Sequence, residues 1–182
     1  MTIRRRDPRG GGETDPVQDP LASAVWIRPF REEDAGAVRS IVERVLGEFD
    51  LDLDPDGVDA DLEDIERAYR TRGGEFWVVE DGRGGVVGTC GVWMDPEDPR
   101  RCEIRKMYLE PRLRGLGMGR RLLAGAIDHA RRAGCETIEL ETNRAMKAAT
   151  SLYESHGFRR VEDREDDAGC SDRCDLVYAL KL

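Results

Sequence analysis

The sequence predicts an α/β (α+β) domain, and three observations carry that prediction. β-rich segments and segments of helical period alternate along the chain after a polar start. A glycine-rich turn, Arg114-Gly115-Leu116-Gly117-Met118-Gly119, stands between a strand pattern and a helical one. The length, 182 residues, suits one domain plus a tail and is enough to bury a real core.

Taken in order, residues 1–23 are polar and rich in Gly and Pro. They cannot bury enough apolar surface to offset ordering, so a disordered tail is expected there, with the domain over 24–182. Val25 to Phe30 is a β-rich opening closed by Pro29, which cannot donate to a ladder. Glu32 to Phe49 carries Ala35, Val38, Ile41, Val42, Val45, Leu46 and Phe49 on one helical face. An acidic loop follows, then a second helix across Asp59–Arg70. Glu75–Glu80 and Val86–Met94 read as paired strands around a Gly82–Gly85 turn, and Arg101–Leu109 as the next strand. Gly117–Ala133 is a helix with Leu122, Leu123, Ala126, Ile127 and Ala130 inward, ended by Gly134. Glu136–Thr142 is a strand, Ala145–His156 a helix ended by Gly157, and Phe158–Asp163 and Asp175–Leu180 are closing strands.

Bulk properties exclude several classes. A net charge of −9 with no basic stripe disfavours nucleic acid as a partner. No apolar run approaches the roughly 18 residues of a membrane span, and no apolar leader opens the chain. The five scattered cysteines then read as reduced thiols, and the expected location is the cytoplasm.

The glycine turn carries the chemistry. A helix N-terminus has backbone N–H groups with no intrahelical partner and a partial positive charge. Glycines remove the Cβ atoms that would keep an anion from those groups. Arg114, Arg120 and Arg121 add charge, so the expected ligand is a phosphate. The turn has neither the Lys-Ser/Thr ending of a nucleotide P-loop nor the G-x-G-x-x-G spacing of a dinucleotide fold. It has R-x-x-G-x-G, with Arg114, Gly117 and Gly119.

That motif resembles the pyrophosphate loop of the GNAT superfamily of acetyl-CoA-dependent acetyltransferases. The context strengthens the resemblance: strand EIRKMYLEP before the loop, an amphipathic helix after it, strand ETIELET, then AATSLYESHGF, similar to the superfamily's A-x-x-L-Y-x-x-x-G-F segment. It covers about residues 25–182 and looks like a bacterial small-molecule branch. It implies a single domain with a mixed central sheet of about six to seven strands and helices on both faces. It also implies that the strands flanking the loop helix splay apart. The backbone of Met107, Tyr108 and Leu109 then holds the pantetheine, and residues Arg114, Gly115, Leu116, Gly117, Met118, Gly119 and Arg120 hold the pyrophosphate of acetyl-CoA, a cosubstrate.

Acetyl transfer to an amine needs a base, an oxyanion donor and an acid for the leaving thiolate. Glu103, eleven residues before Arg114, is the base candidate, since some family members place a glutamate at that offset. In a partly desolvated cleft its pKa would rise. The same residue also reads as a strand glutamate paired to Arg105 or another arginine, and Glu141 or a water relay are the other bases. Tyr153, matching the family tyrosine aimed at the CoA sulfur, is the acid candidate; otherwise it is an aromatic core residue. Met146 stands where the family often has asparagine, which leaves the role of an asparagine contact to Asn143 or to none.

No metal is expected. Asp52 to Glu63 satisfies the calcium-loop pattern D-x-[DN]-x-[DN]-G-x5-E, but Pro55 stiffens it, Asp59 occupies a usually apolar position, and no second hand exists. A solvated acidic loop bordering the acceptor site is the reading. Cys170-x-x-x-Cys174 lacks the further ligands of a zinc site, since the two histidines, His129 and His156, fall within helices.

The expected function is therefore acetylation of a primary amine of a small molecule or amino acid by direct transfer, with no Cys–His or Ser–His pair to suggest a covalent intermediate. The rivals are a non-catalytic acyl-CoA-binding or sensing domain, and a protein or peptide N-acetyltransferase. A homodimer is among the expectations, since dimers are common in the superfamily. Acceptor specificity is expected in the segment between the first two helices and near Arg164–Cys174.

Overall fold

The computed structural model describes residues 24–161 and 174–182. The tail read over 1–23, the closing part of the strand read over Phe158–Asp163, Cys170, and most of Arg164–Cys174 lie outside the described residues.

The first strand, β1 (Val25–Pro29), stops where proline removes the ladder donor. A short 3₁₀ turn leads into α1 (Ala35–Gly47), whose Val38, Ile41, Val42, Val45 and Leu46 are all buried. Arg28 ties strand to helix start: it donates to both Asp34 oxygens at 2.7 and 2.8 Å and to Glu80 Oε2 at 2.6 Å. That guanidinium holds the Asp34 carboxyl below its ordinary range, its hydrogen bond outweighing burial.

The second helix differs from its expected extent. Asp59–Arg70 is broken into a 3₁₀ turn Ala60–Leu62, a single helical turn α2 (Ile65–Ala68) and a second 3₁₀ turn Arg70–Arg72. The cause is Asp64, which leaves helical geometry at φ −142° and accepts the Arg67 N–H at 2.9 Å as an N-cap. Gly73, at φ 85°, then ends the segment.

Strands β2 (Glu75–Asp81), β3 (Val86–Met94) and β4 (Arg101–Leu109) follow, then α3 (Met118–Arg132), β5 (Thr137–Thr142), α4 (Lys147–Ser155), β6 (Arg159–Arg160) and β7 (Leu176–Lys181). They form one seven-stranded mixed sheet in the order β1-β2-β3-β4-β5-β7-β6. All neighbours are antiparallel except β4 and β5, which α3 connects as a parallel pair.

Two apolar layers sandwich the sheet. On one face Leu122, Leu123, Ala126, Ile127 and Ala130 of α3 and Tyr153 of α4 pack on Val79, Val92, Ile104, Ile138 and Leu140. On the other, Val38, Val42 and Leu46 of α1 and Ile65 of α2 pack on Phe76 and Val78, with Phe30 and Tyr69 edge-on to Phe76 at 5.8 and 5.0 Å. Among the described residues no helix is long and apolar enough to cross a membrane.

Two irregularities position everything that follows. The register of β3 against β4 shifts between Thr89 and Gly91, where two residues of β4, Lys106 and Met107, oppose Cys90. Lys106 sits at φ 53°, an uncommon conformation for a non-glycine, and its carbonyl accepts the Thr89 hydroxyl at 2.6 Å. The pairing of β4 with β5 also ends early, at Ile104 with Leu140. Beyond that point Arg105–Leu109 and Glu141–Thr142 run on without pairing to each other, so the sheet opens in the middle.

Candidate active site

A cleft of about 570 Å³ lies in the opening between β4 and β5. Its walls bring together residues distant in sequence: Glu103, Arg105, Met107 and Tyr108 from β4, Glu141 and Asn143 at the end of β5, and Tyr153 from α4. Leu51 and Val58, from the segment between α1 and α2, reach its far side.

The glycine loop forms the start of α3. Gly115 and Gly117 take φ 74° and 82°, left-handed values that cost most residues about 1–2 kcal/mol and glycine little. Gly119 has a different reason to be glycine: a Cβ there would stand 3.2 Å from the Leu152 side chain. The backbone N–H groups of Met118, Gly119 and Arg120 have no carbonyl partner among the described residues, whereas Arg121 N–H already bonds the Gly117 carbonyl at 3.1 Å. Three consecutive free donors at the positive end of a fifteen-residue helix suit a phosphate. Arg120 and Arg121 are exposed beside them.

Arg114 is held by the protein's own groups. Its guanidinium grips both Glu48 oxygens at 2.6 and 3.0 Å and donates to the Leu109 carbonyl at 2.8 and 3.0 Å. It braces the loop against α1 and against the end of β4. The Leu109 carbonyl is thereby taken, while Leu116 is exposed and the Met118 side chain is buried in the core.

Glu103 pairs with Arg105, the alternative its sequence context left open. Arg105 Nε and Nη2 both donate to the single oxygen Oε2, at 2.8 and 2.6 Å. Oε1 has no partner among the described residues and is not buried. Glu103 therefore keeps one free oxygen in the cleft.

Tyr153 is buried at 6 % exposure, its ring 6.0 Å from Phe158 and 6.4 Å from Tyr178. Burial pushes its phenol well above the ordinary range, so the group stays protonated throughout the working pH range. Among the described residues its hydroxyl has no hydrogen-bond partner, yet the side chain lines the cleft. The Asn143 side chain accepts the Ala145 N–H at 2.9 Å, shaping the turn into α4, and Met146 also lines the cleft.

The acidic loop folds onto a lysine. Lys106 Nζ lies 3.0 Å from Asp59 Oδ1, 3.0 Å from Asp61 Oδ1 and 2.8 Å from the Val58 carbonyl. The lysine is 7 % exposed and the two carboxylates 0 % and 8 %. Asp59 also accepts the Asp54 N–H at 2.9 Å, and Asp61 accepts the buried Tyr69 hydroxyl. Asp52, Asp54, Asp56 and Glu63 are exposed, as expected of a solvated loop, but Val58, Asp59 and Asp61 form a clamp that pins this wall of the cleft to the bulge of β4. Sequence reading missed it. The only local hint was a lysine, one of three in the chain, in the middle of a half-buried strand. Among the described residues no group of three or more His, Cys, Asp or Glu side chains gathers as metal ligands, and Cys90, Cys102 and Cys135 are buried and outside any disulfide.

Comparison with known proteins agrees with this geometry. Residues 40–158 match the Acetyltransferase (GNAT) family. An uncharacterised N-acetyltransferase of Escherichia coli, YjgM, is 32 % identical over 139 residues, covering 75 % of this chain and 83 % of the relative. N-acetylaspartate synthetase of Danio rerio is 36 % identical over 107 residues, 58 % of this chain but only 37 % of the larger relative. Among solved structures, a GNAT-family acetyltransferase of Staphylococcus aureus superposes with a TM-score of 0.79 at 24 % identity, covering 87 % of this chain and 99 % of the other. YncA of Salmonella typhimurium, solved with its cofactor acetyl-CoA, superposes with a TM-score of 0.68 at 25 % identity, over 87 % and 94 % of the two chains.

Proposed function

The chain belongs to the acetyltransferase (GNAT) family, and we propose that it moves an acetyl group from acetyl-CoA directly to a primary amine of a small molecule or amino acid. The observation that carries this reading is the opening between β4 and β5. It sets an unpaired β4 edge, a free carboxylate oxygen and a protonated phenol around one cleft, and β4 leads through the glycine loop to the three free N–H groups that open α3. Family membership supports acetyl-CoA as the donor, and the fit is good: the N–H groups of Met118, Gly119 and Arg120 would take the pyrophosphate, with Arg120 and Arg121 adding charge. Gly115, Leu116 and Gly117 supply the turn, and Arg114 braces it. The backbone of Met107 and Tyr108, beyond the last pair of β4 with β5, would hold the pantetheine, with the Leu109 carbonyl excluded because Arg114 already occupies it.

In the transfer, the amine lone pair attacks the thioester carbonyl carbon. The new C–N bond forms as the carbonyl pair moves to oxygen. Glu103 Oε1 takes a proton from the nitrogen. The oxyanion collapses, the C–S bond breaks, and its electrons leave on sulfur. The Tyr153 hydroxyl protonates that thiolate, releasing CoA. The whole transfer is assigned to residues 24–182. The name of the zebrafish relative, N-acetylaspartate synthetase, supports an amino acid among the acceptors, though the shared region is about a third of that protein.

Direct transfer has a kinetic signature. Initial-velocity lines with acetyl-CoA and amine both varied are expected to intersect, and the protein incubated with acetyl-CoA alone is expected to keep its mass. Parallel lines together with an acetylated protein would mean a covalent intermediate and overturn the direct route.

A further inference from the structure

We propose that the Glu103–Arg105 pair reads a carboxylate-bearing amine, so that the acceptor is an amino acid or a close carboxylate analogue, not a simple amine. The inference rests on the transferase reading above and deepens it.

Arg105 is held from two sides. Its guanidinium carbon lies 3.9 Å over the centre of the Trp93 ring, a cation–π stack that fixes the plane. Glu103 takes Nε and Nη2 at 2.8 and 2.6 Å, which fixes the rotation within that plane. The third nitrogen, Nη1, has no partner among the described residues and is not buried. Arg105, Glu103 and Trp93 all line the cleft. The result is a half-buried guanidinium locked by two side chains, with one edge left open to the cleft. An arginine serving only to neutralise Glu103 needs no aromatic platform and no open edge.

The two free atoms make a complementary pair. Glu103 Oε1 accepts, and suits an ammonium or amine. Arg105 Nη1 donates, and suits a carboxylate. Both belong to one ion pair two residues apart on one strand, upstream of the bulge at Lys106, and so they face the same side of the sheet. In an α-amino acid the amine and carboxylate are separated by a single carbon. One zwitterion can therefore meet both atoms at once, and its nitrogen is delivered to the carboxylate that removes its proton. A monoamine fills only half of this arrangement. It leaves the arginine edge facing apolar or neutral groups of the acceptor, an unpaired donor in a partly desolvated cleft.

The test compares each of several L-amino acids with its own carboxamide as acceptor, following CoA release with acetyl-CoA saturating. The acid is expected to exceed its amide in kcat/KM by about ten- to a hundredfold, the worth of a charge-assisted hydrogen bond. The difference is expected to lie mainly in KM. Arg105→Gln is expected to erase the preference, and Arg105→Lys to restore part of it. Calorimetry with acetyl-CoA on each variant checks that the fold and the donor site survive. Because the acid-to-amide ratio is read first in the unaltered protein, the proposal stays falsifiable even if a variant fails to fold. Amides or simple amines accepted as well as the acids, or a preference that persists in Arg105→Gln, would overturn the proposal and leave the transferase reading standing. Acetyl-CoA binding without CoA release for any amine would overturn both.

Discussion

Tyr153→Phe is expected to lower kcat by about 10²–10⁴-fold while acetyl-CoA affinity stays nearly unchanged, the range typical of general acid catalysis. The substitution keeps the ring that packs against Phe158 and Tyr178 and removes only the hydroxyl. That hydroxyl makes no hydrogen bond among the described residues, so its loss leaves no buried donor or acceptor orphaned. Stability should accordingly change by less than about 1 kcal/mol. Burial has already moved the phenol above the ordinary range, so its ionisation should contribute no alkaline limb to the rate profile below about pH 10. Full kcat in Tyr153→Phe, with chemistry shown to be rate-limiting, would return the proton to water and Tyr153 to packing alone.

Lys106→Met is expected to produce the largest loss of stability, about 3–5 kcal/mol, the usual effect of removing one partner from a buried ion pair. Methionine fills a similar volume, and it retains whatever strain the φ of 53° imposes. The loss would therefore come from Asp59 and Asp61, which would be left as buried carboxylates without their cation. The melting temperature should fall by about 10 °C in a domain of this size. Adding Asp59→Asn and Asp61→Asn should recover much of the loss, because neutral amides do not need the ammonium. A single Lys106→Met variant with an unchanged melting temperature would show that the clamp contributes nothing. The clamp also bears on function, since it ties the Val58 wall of the cleft to the strand that carries Glu103 and Arg105.

The parts of this fold legible in the sequence are those set by local periodicity. The order of strands and helices, the inward face of α3 and the glycine stops at Gly134 and Gly157 all follow from neighbours within one or two turns. The turn before α3 was legible because its glycines mark positive-φ backbone at a helix start. What escaped depends on partners far along the chain. The pairing of Arg114 with Glu48, 66 residues upstream, could not be seen from the motif that singled Arg114 out. The helix read over Asp59–Arg70 failed because Asp64 prefers to cap, a competition that apolar spacing does not register. The exposed carboxylates of the acidic loop were legible, but the burial of Asp59 and Asp61 was not, because their counter-ion Lys106 lies two strands further along the chain. Glu103 was singled out by its offset from the loop, but its half-engaged state, with one oxygen on Arg105 and one free, needed the fold.

The central claim is that this cleft transfers acetyl groups to amines and does not merely hold acyl-CoA. The most direct measurement is CoA release from acetyl-CoA across a broad panel of amines, with the acetylated product identified by mass. Release is expected to depend on the amine, to equal the N-acetylated product mole for mole, and to collapse in Tyr153→Phe. Tight acetyl-CoA binding with no amine raising thiol release above hydrolysis would contradict it and leave a binding or sensing domain in its place.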